Sequence, residues 1–282
     1  KIEELYSIIQ FIDPFKLGPL YRFLKGHQIV DEETGRIRGY RNLNEINHLL
    51  KDIIIRRRKG EVLQQLPERT DKILFVPMTQ EQTNRYDEYL EMVSKIVQKW
   101  RKMRYLSEQD RQRLLLGLSC MRMLCDSTYI LDQKTRHDTK VEEVINILSE
   151  VFENGNEKVV IFSQWERMTR LIANELDELG VGYAYLHGGI PSTDRGELFE
   201  RFNNNENCKV FLSTDAGGVG LNLQSGSMVI NLDIPWNPAV LEQRIARVHR
   251  LGQKHNVSVI NMVSSGTIEH RMLDVLSFKS SM

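Results

Sequence analysis

The stretch from Ser213 to Gln253 reads STDAGGVGLNLQSGSMVINLDIPWNPAVLEQRIARVHRLGQ and contains two features that suit phosphate binding. The first follows an apolar strand ending at Ser213, where Thr214 and Asp215 precede the glycine-rich segment 217–220. A backbone with few side chains lets a phosphate or a partner loop approach closely. Glycine clusters also form ordinary turns, and this one does not match the dinucleotide fingerprint G-x-G-x-x-G. The glycines alone leave both interpretations open.

The second feature is a helix predicted over residues 238–250. Polar side chains at i, i+4 and i+7 share one side of this helix and apolar ones face the core: Gln243, Arg247 and Arg250 against Leu241, Ile245 and Val248. Each guanidinium is planar, permanently charged and carries a fork of donors, so two arginines at this spacing can hold a phosphate between them. Arginines on an exposed helix are also often simply solvated. Their position directly after the glycines is more specific than either feature alone.

Residues 140–282 alternate regularly between apolar strands and amphipathic helices. The predicted strands are 158–163, 183–187, 208–213, 228–233 and 257–263, and the predicted helices are 140–153, 165–179, 191–203, a short one from Val219, 238–250 and 267–278. Strands separated by such helices form a parallel sheet covered on both faces. With right-handed crossovers, the pattern predicts an α/β fold, a doubly wound RecA-like lobe of the P-loop-NTPase type.

Polar residues follow four of these strands, namely Ser163, His187, Thr214 and Asp233. Ligands of open α/β sheets bind outside the carboxyl ends of the strands. Hydroxyl groups and free amides there suit phosphate oxygens, and can hold a nucleic-acid backbone without reading its sequence. We therefore predict a binding site along this edge, although His187 taken by itself would be interpreted as a core histidine.

The first 139 residues are predicted to be mainly helical. The pattern gives, in order, helix 1–23 with a break at Asp13-Pro14, loop 24–42, helix 44–55, the basic run 56–59, strand 72–77 and two long helices over 79–130 separated near Ser107. The two long helices over 79–130 are predicted to form a helical protrusion. Residues 95–104 include five lysines and arginines and no acid, a basic flank that either contacts DNA or is solvated.

Composition is that of a globular chain, with 41% apolar and 27% charged residues, so disorder is not expected. A formal net charge of zero hides a local basic excess over residues 236–255. Three cysteines, an odd number, indicate reduced buried thiols and an intracellular location, cytoplasmic, nucleoid or nuclear. No apolar run approaches the roughly 18 residues of a membrane span, and no ligand spacing predicts a metal site.

Residues 213–253 resemble helicase motifs V and VI of the Swi/Snf (sucrose-non-fermenting) family of superfamily-two DNA-translocating ATPases. Other segments resemble further family blocks: VVIFSQW (159–165) motif IV, LHGG (186–189) with Arg195 the next block, IIIRRRKGEVLQQLP (53–67) the segment joining two motor lobes, and CMRMLCDSTYIL (120–131) a helix of the second-lobe protrusion. The resemblance implies three parts: the helical end of the first motor lobe with the inter-lobe connection (1–70), a strand and helical protrusion (71–139), and the second RecA-like lobe or helicase C-terminal domain (140–282).

The resemblance also implies roles for single residues. Gln243, Arg247 and Arg250 would face ATP, held with Mg²⁺ mainly by the first lobe, and Arg250 would be the arginine finger. Gly218, Gly220 and Asn222 would approach the nucleotide. The double-stranded DNA backbone would be held by Ser163, Gln164, His187, Gly188, Gly189 and Thr214. Trp236 is either a core anchor, which is the preferred interpretation, or a coupling element.

A complete ATPase of this kind needs a glycine-rich loop ending in Gly-Lys-Ser/Thr and an acidic magnesium-binding strand end. None of the 18 glycines is followed by Lys-Ser or Lys-Thr. The expected function is therefore the C-terminal part of an ATP-dependent double-stranded-DNA translocase, which works with the first lobe of the same parent chain and is inactive alone. The alternative is a stand-alone module that binds DNA or protein without motor activity.

Overall fold

A computed structural model describes residues 2–31, 35, 37–55, 66–155, 157–215 and 222–273. Contacts divide the chain into two compact units, Lys1–Gln64 and Gln65–Met282. The predicted basic run 56–59, the short helix from Val219 and the glycines Gly218 and Gly220 lie outside the described residues. Within the described ranges, no helix is long and apolar enough to cross a membrane.

In its described residues, the first unit combines three helices with a β-hairpin. Its elements are α1 (Ile2–Ile12), α2 (Leu20–His27), β1 (Gln28–Val30), β2 (Ile37–Tyr40) and α3 (Leu43–Leu50). Ile9, Phe23 and Leu50, one from each helix, belong to its core. The hairpin corrects the loop predicted over 24–42. β1 and β2 pair antiparallel, and their largely exposed faces tolerate the charged composition that is typical of a loop.

The second unit begins with β3 (Arg69–Val76), followed by a helical hairpin of α4 (Gln80–Met103) and α5 (Glu108–Asp126) and by α6 (Thr128–Asp132). The Ser107 hydroxyl accepts a hydrogen bond from the amide of Asp110 and so begins α5, which confirms the predicted break near Ser107. The basic flank of α4 is partly neutralised, because Lys99 lies 2.5 Å from the carboxylate of Asp110. Contact of this flank with DNA stays a prediction.

Six parallel strands form one sheet in this unit. The remaining elements are α7 (Thr139–Asn154), β4 (Val159–Ser163), α8 (Glu166–Glu178), β5 (Gly182–Leu186), α9 (Arg195–Asn204), β6 (Cys208–Thr214), β7 (Met228–Asn231), α10 (Pro238–Ile245) and β8 (Val257–Ser264), and residues 268–273 are helical. The strand order is β3-β8-β7-β4-β6-β5, and all neighbours are parallel. The α/β fold is confirmed, with β3 as an additional edge strand.

Helices cover both faces of the sheet because successive side chains of a strand point to opposite sides. Val159 and Ile161 of β4 belong to one core, together with side chains of α7 and α8. Val160 and Phe162 belong to the other core, together with side chains of α9 and α10. All five residues of β4 are buried, which explains its continuous apolar sequence. This rigid strand positions the polar residues at its end.

A buried ion cluster joins α5, α7 and the segment after β8. The Lys140 ammonium lies 2.7 Å from a carboxylate oxygen of Asp126, 2.8 Å from one of Glu269 and 2.7 Å from the carbonyl oxygen of Leu232. All three of its donors are therefore used. The second oxygen of each carboxyl group is buried and has no hydrogen-bond partner in the described part of the chain. Burial raises the pKa of Asp126 well above its ordinary value; Lys140 opposes this rise and Glu269 adds to it.

All three cysteines, Cys120, Cys125 and Cys208, are free and buried, which confirms the predicted state of the thiols. Burial raises the pKa of each of them above its ordinary value. Since the thiolate is the reactive form, the native thiols are poor nucleophiles.

Candidate functional site

The polar residues that follow the strands lie along one edge of the sheet. Ser163 ends β4 and is in register with Thr214, the last residue of β6. His187 follows β5, which neighbours β6, and Asp233 follows β7, which neighbours β4. Four adjacent strands therefore bring these four residues to the same edge, as a parallel sheet requires.

Asp233 organises the end of β4. Its Oδ2 accepts hydrogen bonds from the Ser163 hydroxyl at 2.5 Å and from the backbone amide of Gln164 at 2.8 Å. Ser163 Oγ in turn accepts from the amide of Trp165 at 3.0 Å. Burial acts to raise the pKa of Asp233, but Arg244 and the Ser163 hydroxyl hold it below its ordinary value. Asp233 is therefore an ionised carboxylate, and the fully buried Ser163 hydroxyl points inward.

Arg244 joins Asp233 to Asp215. Nε and Nη2 of Arg244 donate to the two carboxylate oxygens of Asp215 at 2.7 and 2.9 Å. Nη1 and Nη2 also donate to the carbonyl oxygen and to Oδ1 of Asp233, both at 3.0 Å. The Arg244 side chain is 3% exposed and that of Asp215 31%. Burial acts to lower the pKa of Arg244, but the two carboxylates raise it, so the guanidinium stays charged and fully paired.

A second buried arginine, Arg122 of α5, reaches the same edge. Its Nη2 donates to the side-chain oxygen of Gln164 at 2.8 Å and to the carbonyl oxygen of Ile234 at 2.9 Å. The guanidinium lies 5.9 Å from the ring centroid of Trp165 and 5.6 Å from that of Trp236, within cation–π range. Because Trp236 is 48% exposed, its prediction as a core anchor is wrong. The ring covers a buried cation at the surface instead.

His187 opens an exposed turn after β5. Its Nδ1 accepts a hydrogen bond from the amide of Gly189 at 3.2 Å, and its ring centroid lies 4.9 Å from that of Tyr185. A Glu166 carboxylate oxygen is 3.7 Å from the same nitrogen. Gly188 and Gly189 are exposed, so this turn offers its backbone to solvent.

A small open cavity of about 150 Å³ lies at the end of β6. Its lining includes Thr214, Gln243 and Arg247. Thr214 Oγ1 is buried and has no hydrogen-bond partner among the described residues. The volume is below the roughly 300–1,000 Å³ of a complete ligand pocket. The cavity therefore suits a single phosphate-sized group, and it places Thr214 beside residues predicted to face ATP.

Helix α10 ends at Ile245, which corrects the helix predicted to reach residue 250. The chain continues through tight turns with backbone bonds between residues two to four apart. Val248 and His249 are buried, and His249 Nε2 lies 2.9 Å from the carbonyl oxygen of Pro67. Burial of these two neighbours draws the segment off the helical path. Gln243, Arg247 and Arg250 therefore do not share one helix face.

Arg247 is half-buried at the cavity. Its guanidinium has no hydrogen bond or ion pair with any of the described residues. Burial, and then the positive charge of Arg250, lower the pKa of Arg247 below its ordinary value. The positive charges of Arg247 and Arg250 thus repel each other, although no continuous helix connects the two residues. An anion beside Arg247 would reduce that repulsion.

Asn222 is the first described residue after the glycine-rich segment, and it is exposed. The next residue, Leu223, donates its amide to the carbonyl oxygen of Arg247 at 3.1 Å. Two of the residues predicted to face the nucleotide, Asn222 and Arg247, are therefore neighbours. Gly218 and Gly220, which are also predicted to approach the nucleotide, fall in the undescribed segment 216–221.

Sequence reasoning missed the pairing of Arg244 and the position of Arg122. A signal existed for Arg244, since Asp215 and Asp233 follow strands of the same sheet and an arginine lies on the helix after the second of them. For Arg122 no local signal exists, because its hydrogen-bond partners are 42 and 112 residues away along the chain.

Relatives align with the whole chain. A putative ATP-dependent helicase/translocase of Bacillus subtilis, YwqA, is 29% identical over 100% of this chain and 31% of its own length. The human SWI/SNF-related matrix-associated actin-dependent regulator of chromatin subfamily A member 1 is 30% identical over 99% of this chain and 27% of its own length. The chain thus spans less than a third of either relative.

Solved structures show the same architecture. The Sulfolobus solfataricus SWI2/SNF2 ATPase core in complex with dsDNA superposes with a TM-score of 0.64 at 26% identity, covering 100% of this chain and 58% of that one. The C-terminal part of the Fun30 ATPase domain, at 18% identity, superposes with a TM-score of 0.64 over 75% of this chain and 90% of that one. The second likeness concerns the fold alone.

Two family models match the chain, the SNF2-related domain over residues 1–130 and the helicase conserved C-terminal domain over residues 139–252. The second match contains the candidate site from Ser163 to Arg250. Fold and site therefore define a helicase-type C-terminal RecA-like lobe. With the relatives described above, the two models show that the chain belongs to the Swi/Snf family of superfamily-two helicase-like ATPases.

Proposed function

We propose that this chain is the C-terminal helicase-like part of an ATP-dependent translocase that moves on double-stranded DNA. In this proposal residues 140–282 are the second motor lobe, residues 71–139 contribute its protrusion, and residues 1–70 end the first lobe and connect the two. The two relatives have names that include ATP-dependent helicase/translocase and regulator of chromatin. The Sulfolobus ATPase core was solved with dsDNA. Both observations support the assignment.

The observation that carries the proposal is Arg247, which is half-buried, unpaired among the described residues and next to a second arginine. A guanidinium without a carboxylate partner at a phosphate-sized cavity is suited to a ligand anion. Since the cavity is too small for a nucleotide, it would complete a site whose larger part lies on the first lobe. Arg250 would then act as the arginine finger, with Gln243, Gly218, Gly220 and Asn222 around it.

A magnesium ion would be held elsewhere than at this cavity. No group of three or more His, Cys, Asp or Glu side chains among the described residues could hold a metal ion. Asp215, a carboxylate that lines the cavity, already pairs with Arg244 through both oxygens. The donors here suit phosphate oxygens, and the metal would neutralise phosphate charge from the first lobe. Without that lobe, this chain is expected not to hydrolyse ATP.

The DNA backbone would be held by the exposed part of the same edge. Gln164 and the turn of His187, Gly188 and Gly189 reach the surface, whereas the Ser163 and Thr214 hydroxyls are buried. We assign direct phosphate contacts to the exposed residues and a supporting role to the two hydroxyls. Contacts of this kind do not read sequence, so binding should weaken steeply with salt. Buried free thiols fit an intracellular location for such a protein.

The test is ATP hydrolysis by the parent protein with and without duplex DNA, comparing wild type with Arg250→Ala and Arg247→Ala. In the presence of duplex DNA, ATP turnover should fall roughly 10³–10⁵-fold when the finger arginine is removed, while the nucleotide still binds. Lys254→Ala is the matched control, because it removes an exposed cation from the same segment. Intact duplex-stimulated turnover in Arg250→Ala would refute the finger assignment, and intact turnover in Arg247→Ala would refute the anion site at the cavity. Absence of duplex stimulation in the wild type would refute the translocase.

A further inference from the structure

We infer that Arg244 is a positioning residue that links the DNA-holding end of β4 to Asp215 at the cavity proposed to face ATP. The inference deepens the proposed function and rests on it. Arg244 is not one of the residues assigned to ATP or DNA above. Its side chain is 3% exposed, so it acts through other groups rather than on a ligand.

Hydrogen bonding leaves Arg244 little capacity for a ligand. Its Nε and both terminal nitrogens make four bonds, two to Asp215 and two to Asp233. A guanidinium has five N–H donors in a rigid fork, so the geometry of one carboxylate fixes where the other must lie. A lysine ammonium has only three donors, so it cannot make these four bonds.

The two carboxylates lead to the two halves of the site. Asp215 lines the cavity together with Gln243 and Arg247. On the other side, Asp233 accepts from the Ser163 hydroxyl and from the backbone amide of Gln164. No direct contact between Asp215 and Gln164 is needed, since Arg244 and Asp233 form a continuous chain between them. A displacement of Asp215 at the cavity would thus reach the end of β4 through Arg244.

The sharpest variant is Asp215→Asn in the parent protein. Asp215 is 31% exposed, so the change weakens one side of Arg244 and leaves its bonds to Asp233. Asp132→Asn is the matched control: Asp132 also pairs with an arginine, Arg85 at 2.6 Å, and its side chain is 25% exposed. Two quantities are measured, the hydrogen-exchange rate of the Gln164 amide and the ratio of duplex-stimulated to unstimulated ATP turnover.

We expect Asp215→Asn to speed Gln164 exchange and to lower the stimulation ratio, each by roughly 2- to 30-fold, and Asp132→Asn to change neither. If Asp215→Asn lowers the melting temperature as Asp132→Asn does but leaves both quantities at the wild-type level, Arg244 only braces the fold and the inference is overturned. Faster exchange with an unchanged ratio also overturns it. If the wild type shows no duplex stimulation, the proposed function fails, while the exchange rate still decides whether Arg244 positions Gln164.

Discussion

Replacing Asp126 by Asn should change how the stability of the second unit depends on pH. The Lys140 cluster holds two buried carboxyl groups against one ammonium, and Oδ2 of Asp126 has no hydrogen-bond partner in the ranges that the structure describes. Because burial raises the pKa of Asp126 in the folded protein, the folded state binds a proton more tightly than the unfolded state does. Asparagine keeps the oxygen that accepts from Lys140 and removes the titration.

The sign and size of the effect follow from proton linkage. A raised folded pKa gives a stability contribution that is complete below the unfolded pKa, about 3.9, and is lost as pH rises toward the folded value. One proton corresponds to a slope of up to about 1.4 kcal/mol per pH unit in the free energy of unfolding. The free energy of unfolding of Asp126→Asn, relative to that of the wild type, should therefore increase by up to about 1.4 kcal/mol for each pH unit above about 4.

Urea unfolding at pH 5, 6, 7 and 8, followed by tryptophan fluorescence, measures this difference. All three tryptophans, Trp100, Trp165 and Trp236, lie in the second unit, so the signal reports on that unit alone. Asp132→Asn is the control, because the pKa of Asp132 is shifted in the opposite direction to that of Asp126. Its carboxylate has a lowered pKa, held down against burial by Thr135 and Arg85, so this control should shift stability by a constant amount over pH 5–8. A constant difference for Asp126→Asn as well would refute the reasoning.

Two further substitutions test burial and close packing. Lys140→Met should lower the free energy of unfolding by about 3–5 kcal/mol in urea titrations at pH 7, because it leaves two buried carboxyl groups without their cation; a loss below about 1 kcal/mol would show that the cluster is not desolvated. Gly182→Ala should cost about 1–3 kcal/mol or more, since its Cβ would lie 2.2 Å from the carbonyl oxygen of Asn207. An unchanged melting temperature for Gly182→Ala would contradict that approach of the two backbones.

The sheet could be predicted from the sequence because buried parallel strands leave continuous apolar runs. The expected strand 158–163 is observed as Val159–Ser163, and all its residues are buried. The predicted helix 238–250 was wrong beyond Ile245 for a physical reason. Val248 and His249 are buried and keep the apolar spacing that is typical of a helix, so the sequence pattern does not show that the helix ends. The end depends on the hydrogen bond from His249 to Pro67, which forms only in the folded chain.

The polar core of the candidate site was only partly predictable. Positions at strand ends could be inferred, since topology brings the ends of parallel strands together. Whether a hydroxyl there faces solvent or a buried carboxylate depends on residues far away in the sequence. Asp233 lies 70 residues from Ser163, and Ile234 lies 112 residues from Arg122. No local pattern encodes such distances, so the inward hydroxyl of Ser163 and the surface position of Trp236 required the structure.

The pairing of β3 with β8 determines when the sheet can be completed during synthesis of the chain. Among the described residues, β3 is the first strand of its sheet to leave the ribosome, yet it pairs only with β8, the last strand of that sheet. The flanking residues Glu68 and Asn256 are 188 positions apart. At about 5–20 residues per second, β3 waits on the order of 10–40 s for its partner. The hairpin of α4 and α5 can form locally in that interval, whereas an apolar edge of the nascent sheet stays open. Chaperone dependence during synthesis should therefore end only when β8 has emerged.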